Sequence, residues 1–175
     1  MPPATSHPSL SIRLANELDR DRIAEIYNHY IKNTVITFEE ELVDGTEIAT
    51  RLAKVFKADL PWLVAEENDK VLGYAYASPW HARSAYRHTV EVSVYLDHQT
   101  TGRGVGSALY ERLFERLRKK DIHVVIGGLT LPNPASEALH QKFGMRKVAH
   151  YQEVGHKFSK WLDVGYWQTE FEATP

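Results

Sequence analysis

The residues from 89 to 106, TVEVSVYLDHQTTGRGVG, constrain the fold more than any other part of the chain. Val90, Val92 and Val94 alternate with Glu91, Ser93 and Tyr95, and this period of two is typical of a strand. Glycines follow at 102, 104 and 106, and then come leucines at helical spacing. A strand, a glycine loop and a helix in this order leave unpaired backbone N–H groups at a helix start, where an anion can approach closely. The segment therefore predicts an anion-binding site.

Two common glycine-loop motifs do not fit this segment. The dinucleotide-binding pattern requires a third glycine at 107, where Ser107 stands, and the mononucleotide loop requires Gly-Lys-Ser/Thr, which does not occur. An ordinary glycine-rich connection would also explain the loop without any ligand. Glycine spacing by itself therefore leaves the nature of the anion open.

The loop resembles the pyrophosphate loop of the GNAT superfamily of N-acetyltransferases. Its pattern, Gln/Arg-x-x-Gly-x-Gly/Ala, falls on Thr101, Gly104 and Gly106, with threonine departing from the usual first residue. A second segment, LPNPASEALHQKFGM, is similar to the family's Asn-x-x-Ala/Ser-x-x-Leu-Tyr-x-x-x-Gly-Phe pattern. The residues that match it in register are Asn133, Ser136, Leu139, His140 and Gly144.

Four further segments resemble one branch of that superfamily, the phosphinothricin and methionine-sulfoximine N-acetyltransferases. They are NHYI, PWLVAE, HARSAYRHTVE and GHKFSKWLDVGYWQ, and they occur in the same order between residues 10 and 171. The resemblance implies the acyl-CoA N-acyltransferase fold and acetyl-CoA as co-substrate. It also implies a small amino-acid-like acceptor, of the phosphinothricin, methionine sulfoximine or methionine sulfone type, and a homodimer.

The same resemblance predicts which residues bind acetyl-CoA. They lie on the strand, the loop and two helix starts: Val92, Val94, Thr101, Gly102, Arg103, Gly104, Val105, Gly106, Ser107, Asn133 and Ser136. Arg103 would add positive charge near the pyrophosphate. Local chemistry offers a second explanation for part of this set, because Asn133 before Pro134 is typical of a helix N-cap.

Glu91 is the candidate general base. Acyl transfer from a thioester to an amine requires a neutral amine, so a nearby carboxylate must take a proton, directly or through a water. Glu91 stands in the Thr-Val-Glu segment of the resemblance, on the face of the strand opposite Val90 and Val92. The alternative is a glutamate on the solvated face of a half-exposed strand.

His140 is the candidate proton donor to the departing CoA thiolate. It occupies the position at which the superfamily commonly carries a tyrosine, and an imidazole N–H can serve near neutral pH. The alternative is a packed helix histidine beside Leu139 and Phe143.

Acceptor binding is predicted for the segment HARSAY and for Phe38. Arg83 can pair with a carboxylate through two parallel hydrogen bonds, and Tyr86 and Phe38 could wall the acceptor's side chain. Alternatively, the aromatic residues anchor loops and Arg83 lies on the surface. Lys157 and Trp161 would frame the acceptor mouth or a dimer contact.

The composition agrees with one domain, residues 10–172, preceded by a polar tail at 1–9. The chain has 175 residues, 43% of them hydrophobic, no cysteine and a formal charge of −2. These values argue against disulfides, a thiolate nucleophile and a nucleic-acid surface. The histidines lack metal-ligand spacing, so no metal is expected. No apolar run approaches a membrane span or a signal peptide, so we expect a cytoplasmic protein.

The pattern of elements predicts an α/β domain, and the resemblance implies a single mixed, mostly antiparallel central sheet flanked by helices. The expected order is a strand at 10–14, helices near 20–31 and 46–57, a hairpin over 62–77, a strand at 90–96, a helix at 104–119, a strand at 123–128, a helix at 134–143, and strands at 146–154 and 163–170. Two other functions remain open: acetylation of a protein or peptide N-terminus, and a non-catalytic acyl-CoA-binding module.

Overall fold

The computed structural model describes residues 10–100 and 102–172, so the predicted tail at 1–9 and Thr101 lie outside the described residues. The strands are β1 (Ser11–Leu14), β2 (Trp62–Glu67), β3 (Lys70–Pro79), β4 (Thr89–Leu96), β5 (Val124–Leu131), β6 (Arg146–Lys157) and β7 (Lys160–Glu170). The helices are α1 (Arg20–Asn33), α2 (Gly45–Lys57), α3 (Val105–Leu117) and α4 (Pro134–Lys142).

All strands belong to one mixed sheet in the order β1-β2-β3-β4-β5-β7-β6. Strands β4 and β5 pair in parallel, and the other neighbouring pairs are antiparallel. The predicted sheet, mixed and mostly antiparallel, is confirmed.

The two faces of the sheet are covered differently. Helix α3 packs on the face that carries Val92 and Val94, and its Leu109 and Leu113 are fully buried. Helix α1 packs on the opposite face, where the rings of Tyr27 and Tyr95 meet edge to face with centroids 5.0 Å apart. Glu91 lies on the same face as Tyr95, since residues two and four apart on a strand share a face.

The pairing of β4 with β5 ends early. It runs from Thr89 opposite Val124 to Glu91 opposite Ile126, although both strands continue for several residues. Strand β5 stays paired with β7 as far as Leu131. The two parallel strands therefore separate just beyond Glu91 and leave a gap in the middle of the sheet.

Two local predictions were imprecise. Strands β6 and β7 form one long hairpin, because Phe158 and Ser159 close its turn with φ of 51° and 58°, a conformation usually found with Asn-Gly. Helix α1 ends at Asn33, two residues beyond the predicted end at 31. Asp19, the residue before this helix, forms no side-chain capping hydrogen bond. Its carboxylate instead accepts hydrogen bonds from the Asn16 N–H, at 2.8 Å, and from the Arg13 side chain of β1. Asp19 ends a short 3₁₀ turn, Glu17–Asp19, that precedes the helix.

Candidate active site

A cavity of about 880 Å³ lies on the face of the sheet that carries Glu91. Strands β4, β5, β7 and β6 form its floor, and the loop after α1 and the segment after β3 form its walls. We call it the Glu91 cavity. It is lined by Ile36, Thr37, Phe38, Trp80, His81, Glu91, Ser93, Tyr95, Ile126, Gly128, Leu129, Thr130, Val148, Ala149, Tyr151, Val154, Val164, Tyr166 and Gln168.

The Glu91 side chain is partly buried at the floor of this cavity, and desolvation by burial raises the pKa of its carboxyl group. A Cβ atom on Gly128 would lie 3.2 Å from the Glu91 Oε1 atom and 2.9 Å from the Tyr166 ring, so the glycine makes room for both side chains. The nearby Glu91 charge contributes to a raised pKa of Tyr166, after desolvation. A carboxylate with a raised pKa can accept a proton at neutral pH more readily than an exposed one.

Phe38, which the sequence analysis predicted to bind the acceptor, lines the Glu91 cavity. Its ring lies directly against the backbone of Gly155 in β6, because a Cβ atom on this glycine would lie 2.3 Å from two of the ring carbons. Across the cavity, the rings of Trp80 and Tyr166 meet edge to face with centroids 5.4 Å apart. The cavity is therefore mainly aromatic and apolar around one carboxylate.

The structure does not bring Arg83 or Tyr86 into the Glu91 cavity. Arg83 is exposed and lines an adjoining cavity of about 490 Å³, which meets the Glu91 cavity at His81. The Tyr86 ring packs against the His81 ring, with centroids 5.0 Å apart. Both residues lie in the loop after β3 that turns away from the sheet. His81 is the one residue lining the Glu91 cavity, among those described, whose side chain can carry positive charge.

A narrow slot of about 40 Å³ occupies the gap between β4 and β5, and we call it the β4–β5 slot. Ser93, Tyr95 and Thr130 line both the slot and the Glu91 cavity, so the two spaces adjoin. Residues predicted from the sequence to bind acetyl-CoA line the slot on its other side: Val92, Val94, Asn133 and Ser136. The Asn133 side chain also caps α4, because its Oδ1 atom accepts a hydrogen bond from the Ser136 N–H at 3.2 Å.

His140 also lines the slot and is 2% exposed. Its Nδ1 atom lies 2.7 Å from the Ser136 carbonyl oxygen, which can only accept, so Nδ1 carries the proton. Its Nε2 atom then accepts from the Tyr110 hydroxyl at 3.2 Å. Burial lowers the pKa of His140, so the imidazole is neutral at physiological pH. Donation of a proton by His140 itself would require one of these hydrogen bonds to break.

The glycine loop, Gly102–Ser107, connects β4 to α3, in the order that the sequence predicted. Gly102 and Gly104 have φ of 79° and 77°, a region that glycine occupies without strain, and no atom lies within 4 Å of a Cβ built on either residue. Helix α3 begins at Val105, so the N–H groups of Val105, Gly106 and Ser107 precede its first intrahelical hydrogen bond, from the Ala108 N–H to the Gly104 carbonyl. These N–H groups are a candidate anion site at a helix start.

Two side chains of the loop have protein partners. The Arg103 Nη2 atom lies 2.8 Å and 3.0 Å from the two carboxylate oxygens of Glu67, and the Ser107 Oγ accepts from the Lys142 Nζ at 3.1 Å. The Arg103 pair is half exposed, and such pairs contribute only about 0.2–1 kcal/mol. An anion on the loop could therefore compete with Glu67 for Arg103 at small cost.

The segment before the loop is held by a residue that sequence reasoning missed. Asp97 is 5% exposed, forms an ion pair with Arg22 of α1 and accepts a hydrogen bond from the Gln99 N–H at 3.0 Å. The Thr100 hydroxyl adds bonds to the Asp97 and Leu72 carbonyls. An acidic residue at the end of a strand carries no signal of such a role, because its arginine partner is 75 residues away in the sequence.

Other lining residues were also missed, namely Trp80, Tyr95, Tyr110, Tyr151 and Tyr166. They come together only through strand register and helix packing, so no local pattern distinguishes them from core aromatics. Within residues 10–100 and 102–172, we find no cluster of three or more side chains suited to hold a metal ion. No helix in the described part of the chain is long and apolar enough to cross a membrane.

Comparison with known proteins identifies close relatives. The chain is 37% identical over 163 residues to the phosphinothricin N-acetyltransferase of Streptomyces viridochromogenes, a match covering 93% of this chain and 88% of that protein. It is 36% identical over 166 residues to the L-methionine sulfoximine/L-methionine sulfone acetyltransferase of Salmonella typhimurium, covering 93% and 95% of the two chains.

Solved structures agree with these relatives. A phosphinothricin acetyltransferase of the GNAT superfamily from Sinorhizobium meliloti, in complex with acetyl-CoA, superposes with a TM-score of 0.89 at 34% identity, over 92% of this chain and 88% of that chain. A ribosomal-protein-alanine N-acetyltransferase from Brucella melitensis superposes with a TM-score of 0.90 at 35% identity, over 92% and 99%. The model of the acetyltransferase (GNAT) domain family matches residues 12–165. The chain therefore belongs to the GNAT family of acetyltransferases.

Proposed function

We propose that this protein transfers the acetyl group of acetyl-CoA to the α-amine of a small amino-acid-like acceptor held in the Glu91 cavity. The observation that carries the proposal is the desolvated carboxylate of Glu91 at the floor of an aromatic cavity that adjoins the β4–β5 slot. Relatives that act on phosphinothricin, methionine sulfoximine and methionine sulfone support this acceptor class.

The residues present fit acetyl-CoA. The N–H groups of the glycine loop would bind its pyrophosphate, with Arg103 adding charge after release from Glu67. Gly106 lies between the end of β4 and α4, since a Cβ atom on it would meet Leu96 and Leu139 at 3.6 Å and 3.7 Å. The loop and the slot therefore both lie beside the C-terminal end of β4. The slot would hold the part of acetyl-CoA that carries the thioester. Acetyl-CoA supplies the acetyl group in activated form.

Glu91 is the proposed base. An amino acid's amine is mostly protonated at neutral pH, so one proton must leave before its nitrogen can attack. The Glu91 carboxylate would accept this proton directly or through a water. Partial burial at the floor of the cavity desolvates the carboxylate and keeps it basic.

The Tyr110–His140 pair is the proposed source of the proton that the leaving sulfur needs. Both residues line the slot, and the neutral His140 holds the Tyr110 hydroxyl by its Nε2 atom. The hydroxyl can turn from His140 to the sulfur, whereas the Nδ1–H of His140 is occupied by the Ser136 carbonyl. His140 would then orient the donor, and Tyr110 would regain a proton from solvent after CoA leaves.

The acceptor's carboxylate would lie at the His81 end of the cavity. His81 can carry positive charge there, and Arg83 lies on the same loop at the mouth of the adjoining cavity. We propose that the carboxylate binds between these two side chains. Phe38 and Tyr166 would then flank the acceptor's side chain.

A second candidate is acetylation of a protein or peptide N-terminus, supported by the similarity to the ribosomal-protein-alanine N-acetyltransferase from Brucella melitensis. The volume of the cavity, about 880 Å³, falls in the range of small-molecule sites, roughly 300–1,000 Å³. This volume, together with the relatives that act on amino-acid-like acceptors, supports a free amino acid as the first candidate. A third candidate, a non-catalytic acyl-CoA-binding module, would leave Glu91 without a role.

A thiol-release assay tests all three candidates. Purified protein and acetyl-CoA are mixed with free amino acids, their sulfoximine, sulfone and phosphinate analogues, and short peptides with free N-termini. We expect release only with the free amino-acid-like acceptors. Release with peptides alone would favour the second candidate, and acetyl-CoA binding without release the third.

A further inference from the structure

Lys157, near the tip of the β6–β7 hairpin, is 1% exposed. Its Nζ atom donates a hydrogen bond to the Thr37 carbonyl oxygen at 2.9 Å, and its ammonium lies 5.1 Å from the centre of the Phe158 ring. No carboxylate of the described residues lies within ion-pair distance of it. Desolvation lowers the pKa of Lys157, and the charges of Glu40 and Glu39 oppose that change. A buried lysine without a counter-ion is rare in proteins and costly. The one hydrogen bond that its side chain forms within the described residues therefore requires an explanation.

The bond to Thr37 fixes a peptide that belongs to the Glu91 cavity. Thr37 is 7% exposed, and its hydroxyl lies 2.7 Å from the Tyr27 hydroxyl of α1. The main chain and the side chain of this residue are thus both tied to other elements. Ile36 and Phe38, on either side of it, line the cavity. The segment Ile36–Phe38 has no regular structure of its own.

Gly155 completes the arrangement on the same strand, two residues before Lys157. The Phe38 ring occupies the space that a side chain at 155 would need, since a Cβ there would lie 2.3 Å from the ring. Strand β6 therefore makes two contacts with this segment. Gly155 leaves room for the Phe38 ring, and Lys157 donates a hydrogen bond to the carbonyl oxygen of the preceding residue, Thr37. Two independent contacts set the position of one wall.

We propose that Lys157 and Gly155 are positioning residues, which fix the Ile36–Phe38 wall and thereby determine which acceptor side chains fit the Glu91 cavity. This proposal rests on the proposed function of that cavity. Neither Lys157 nor Gly155 lies on the glycine loop or lines the slot. Ile36 of the wall lines both the slot and the Glu91 cavity, whereas Thr37 and Phe38 line the cavity alone, so the main effect is expected on the acceptor.

The test compares Lys157→Met with Lys160→Met. The methionine keeps the length and apolar stem of lysine but cannot donate, and Lys160 is the exposed residue directly opposite on β7. We expect Lys157→Met to raise the acceptor KM about tenfold or more, a typical effect for loss of a hydrogen bond from a charged group, and to change the order of preferred acceptors. The acetyl-CoA KM should stay within about twofold, the scatter of a neutral change. Lys160→Met should leave both constants unchanged.

Hydrogen exchange gives a readout that does not need activity. Peptides spanning residues 34–44 should exchange faster in Lys157→Met than in wild type, and Lys160→Met should match wild type.

A second variant covers the case in which Lys157→Met does not fold. Thr37→Val removes the hydrogen bond to Tyr27 and keeps Lys157, and it should shift the acceptor KM in the same direction as Lys157→Met. Gly155→Ala should also raise the acceptor KM, by displacing Phe38.

Unchanged exchange at 34–44 together with an unchanged acceptor KM in folded Lys157→Met would overturn the inference. Equal rises of both Michaelis constants would overturn it too, since they indicate general damage. If wild type releases no thiol with any acceptor, the proposed function fails, while the exchange experiment still decides whether Lys157 anchors the wall.

Discussion

The Tyr110 hydroxyl and the His140 Nε2 atom lie 3.2 Å apart in a fully buried contact beside the gap between β4 and β5. Gly127 of β5 makes this position of His140 possible, because a Cβ atom there would lie 2.3 Å from the same Nε2. The imidazole is held from three sides and remains neutral. The sequence predicted His140 as the donor itself, whereas the hydrogen bonds of its two ring nitrogens favour Tyr110 as the donor and His140 as the residue that orients it.

Tyr110→Phe removes the hydroxyl and keeps the ring. We expect turnover to fall about 10²-fold, the lower range for loss of a general acid, with both Michaelis constants nearly unchanged. The variant should also lose about 1–3 kcal/mol of unfolding free energy, because the buried His140 Nε2 loses its donor. Steady-state kinetics and urea unfolding measure the two effects. A destabilised variant with wild-type turnover would show that the pair serves structure alone.

Glu91→Gln keeps size and removes basicity. Turnover should fall about 10²–10⁴-fold while acetyl-CoA binding is retained. Because burial raises the pKa of Glu91, the acidic limb of the wild-type kcat/KM profile should lie above the ordinary glutamate range and be lost in the variant. Glu115→Gln, on the exposed face of α3, is the control. A variant that keeps the wild-type rate and acidic limb would rule Glu91 out as the base.

The same substitution should stabilise the protein at neutral pH. A carboxyl group whose pKa is raised by folding contributes stability below its unfolded pKa, and this contribution is lost as the pH rises through the folded pKa. At pH values above the folded pKa, the ionised Glu91 carboxylate therefore lowers the free energy of unfolding, whereas a neutral glutamine does not. Denaturant unfolding should give Glu91→Gln the higher unfolding free energy at pH 7.5 and a smaller difference at pH 4. Equal stability at both values would contradict a desolvated Glu91.

Gly104→Ala and Gly144→Ala form a matched pair for the glycine loop. Both glycines have φ near 77°, so alanine should cost about 1–2 kcal/mol of unfolding free energy at either residue. Only Gly104 precedes the free N–H groups of α3, whereas Gly144 follows α4. We expect Gly104→Ala alone to raise the acetyl-CoA KM, about tenfold, with the acceptor KM unchanged. Similar acetyl-CoA saturation in both variants would remove the pyrophosphate from this loop.

Arg83→Ala and His81→Asn test the acceptor's carboxylate. A charge-assisted contact contributes on the order of 1.5–3 kcal/mol, so the variant that breaks it should lose roughly ten- to a hundredfold in kcat/KM on a good amino-acid acceptor. The carboxamide of that acceptor should show a much smaller loss. If only His81→Asn distinguishes acid from amide, the contact belongs to His81 and Arg83 is a surface residue. Equal losses on acid and amide in both variants would reopen the substrate class toward peptides.

The sequence by itself determined the parts of the protein that depend on neighbouring residues. Alternating valines define β4, glycines at 102 and 104 allow positive φ, and Asn133 before Pro134 starts α4. An anion site at a helix start follows from this local order, because the unpaired N–H groups are a property of the helix end itself. The order of elements indicates an α/β domain, and the mixed sheet was expected from the family resemblance.

Only the tertiary structure decided what surrounds Glu91. The early end of the β4–β5 pairing opens the slot, and the Trp80, Tyr166 and Phe38 rings reach the cavity from segments far apart in the sequence. Arg83, eight residues before Glu91, turns away from it, and Lys157, 120 residues after Thr37, anchors its carbonyl. Sequence spacing predicts the face on which a side chain lies only within a single strand or helix. Between elements, contacts depend on register and loop path, which are set by packing of the whole core.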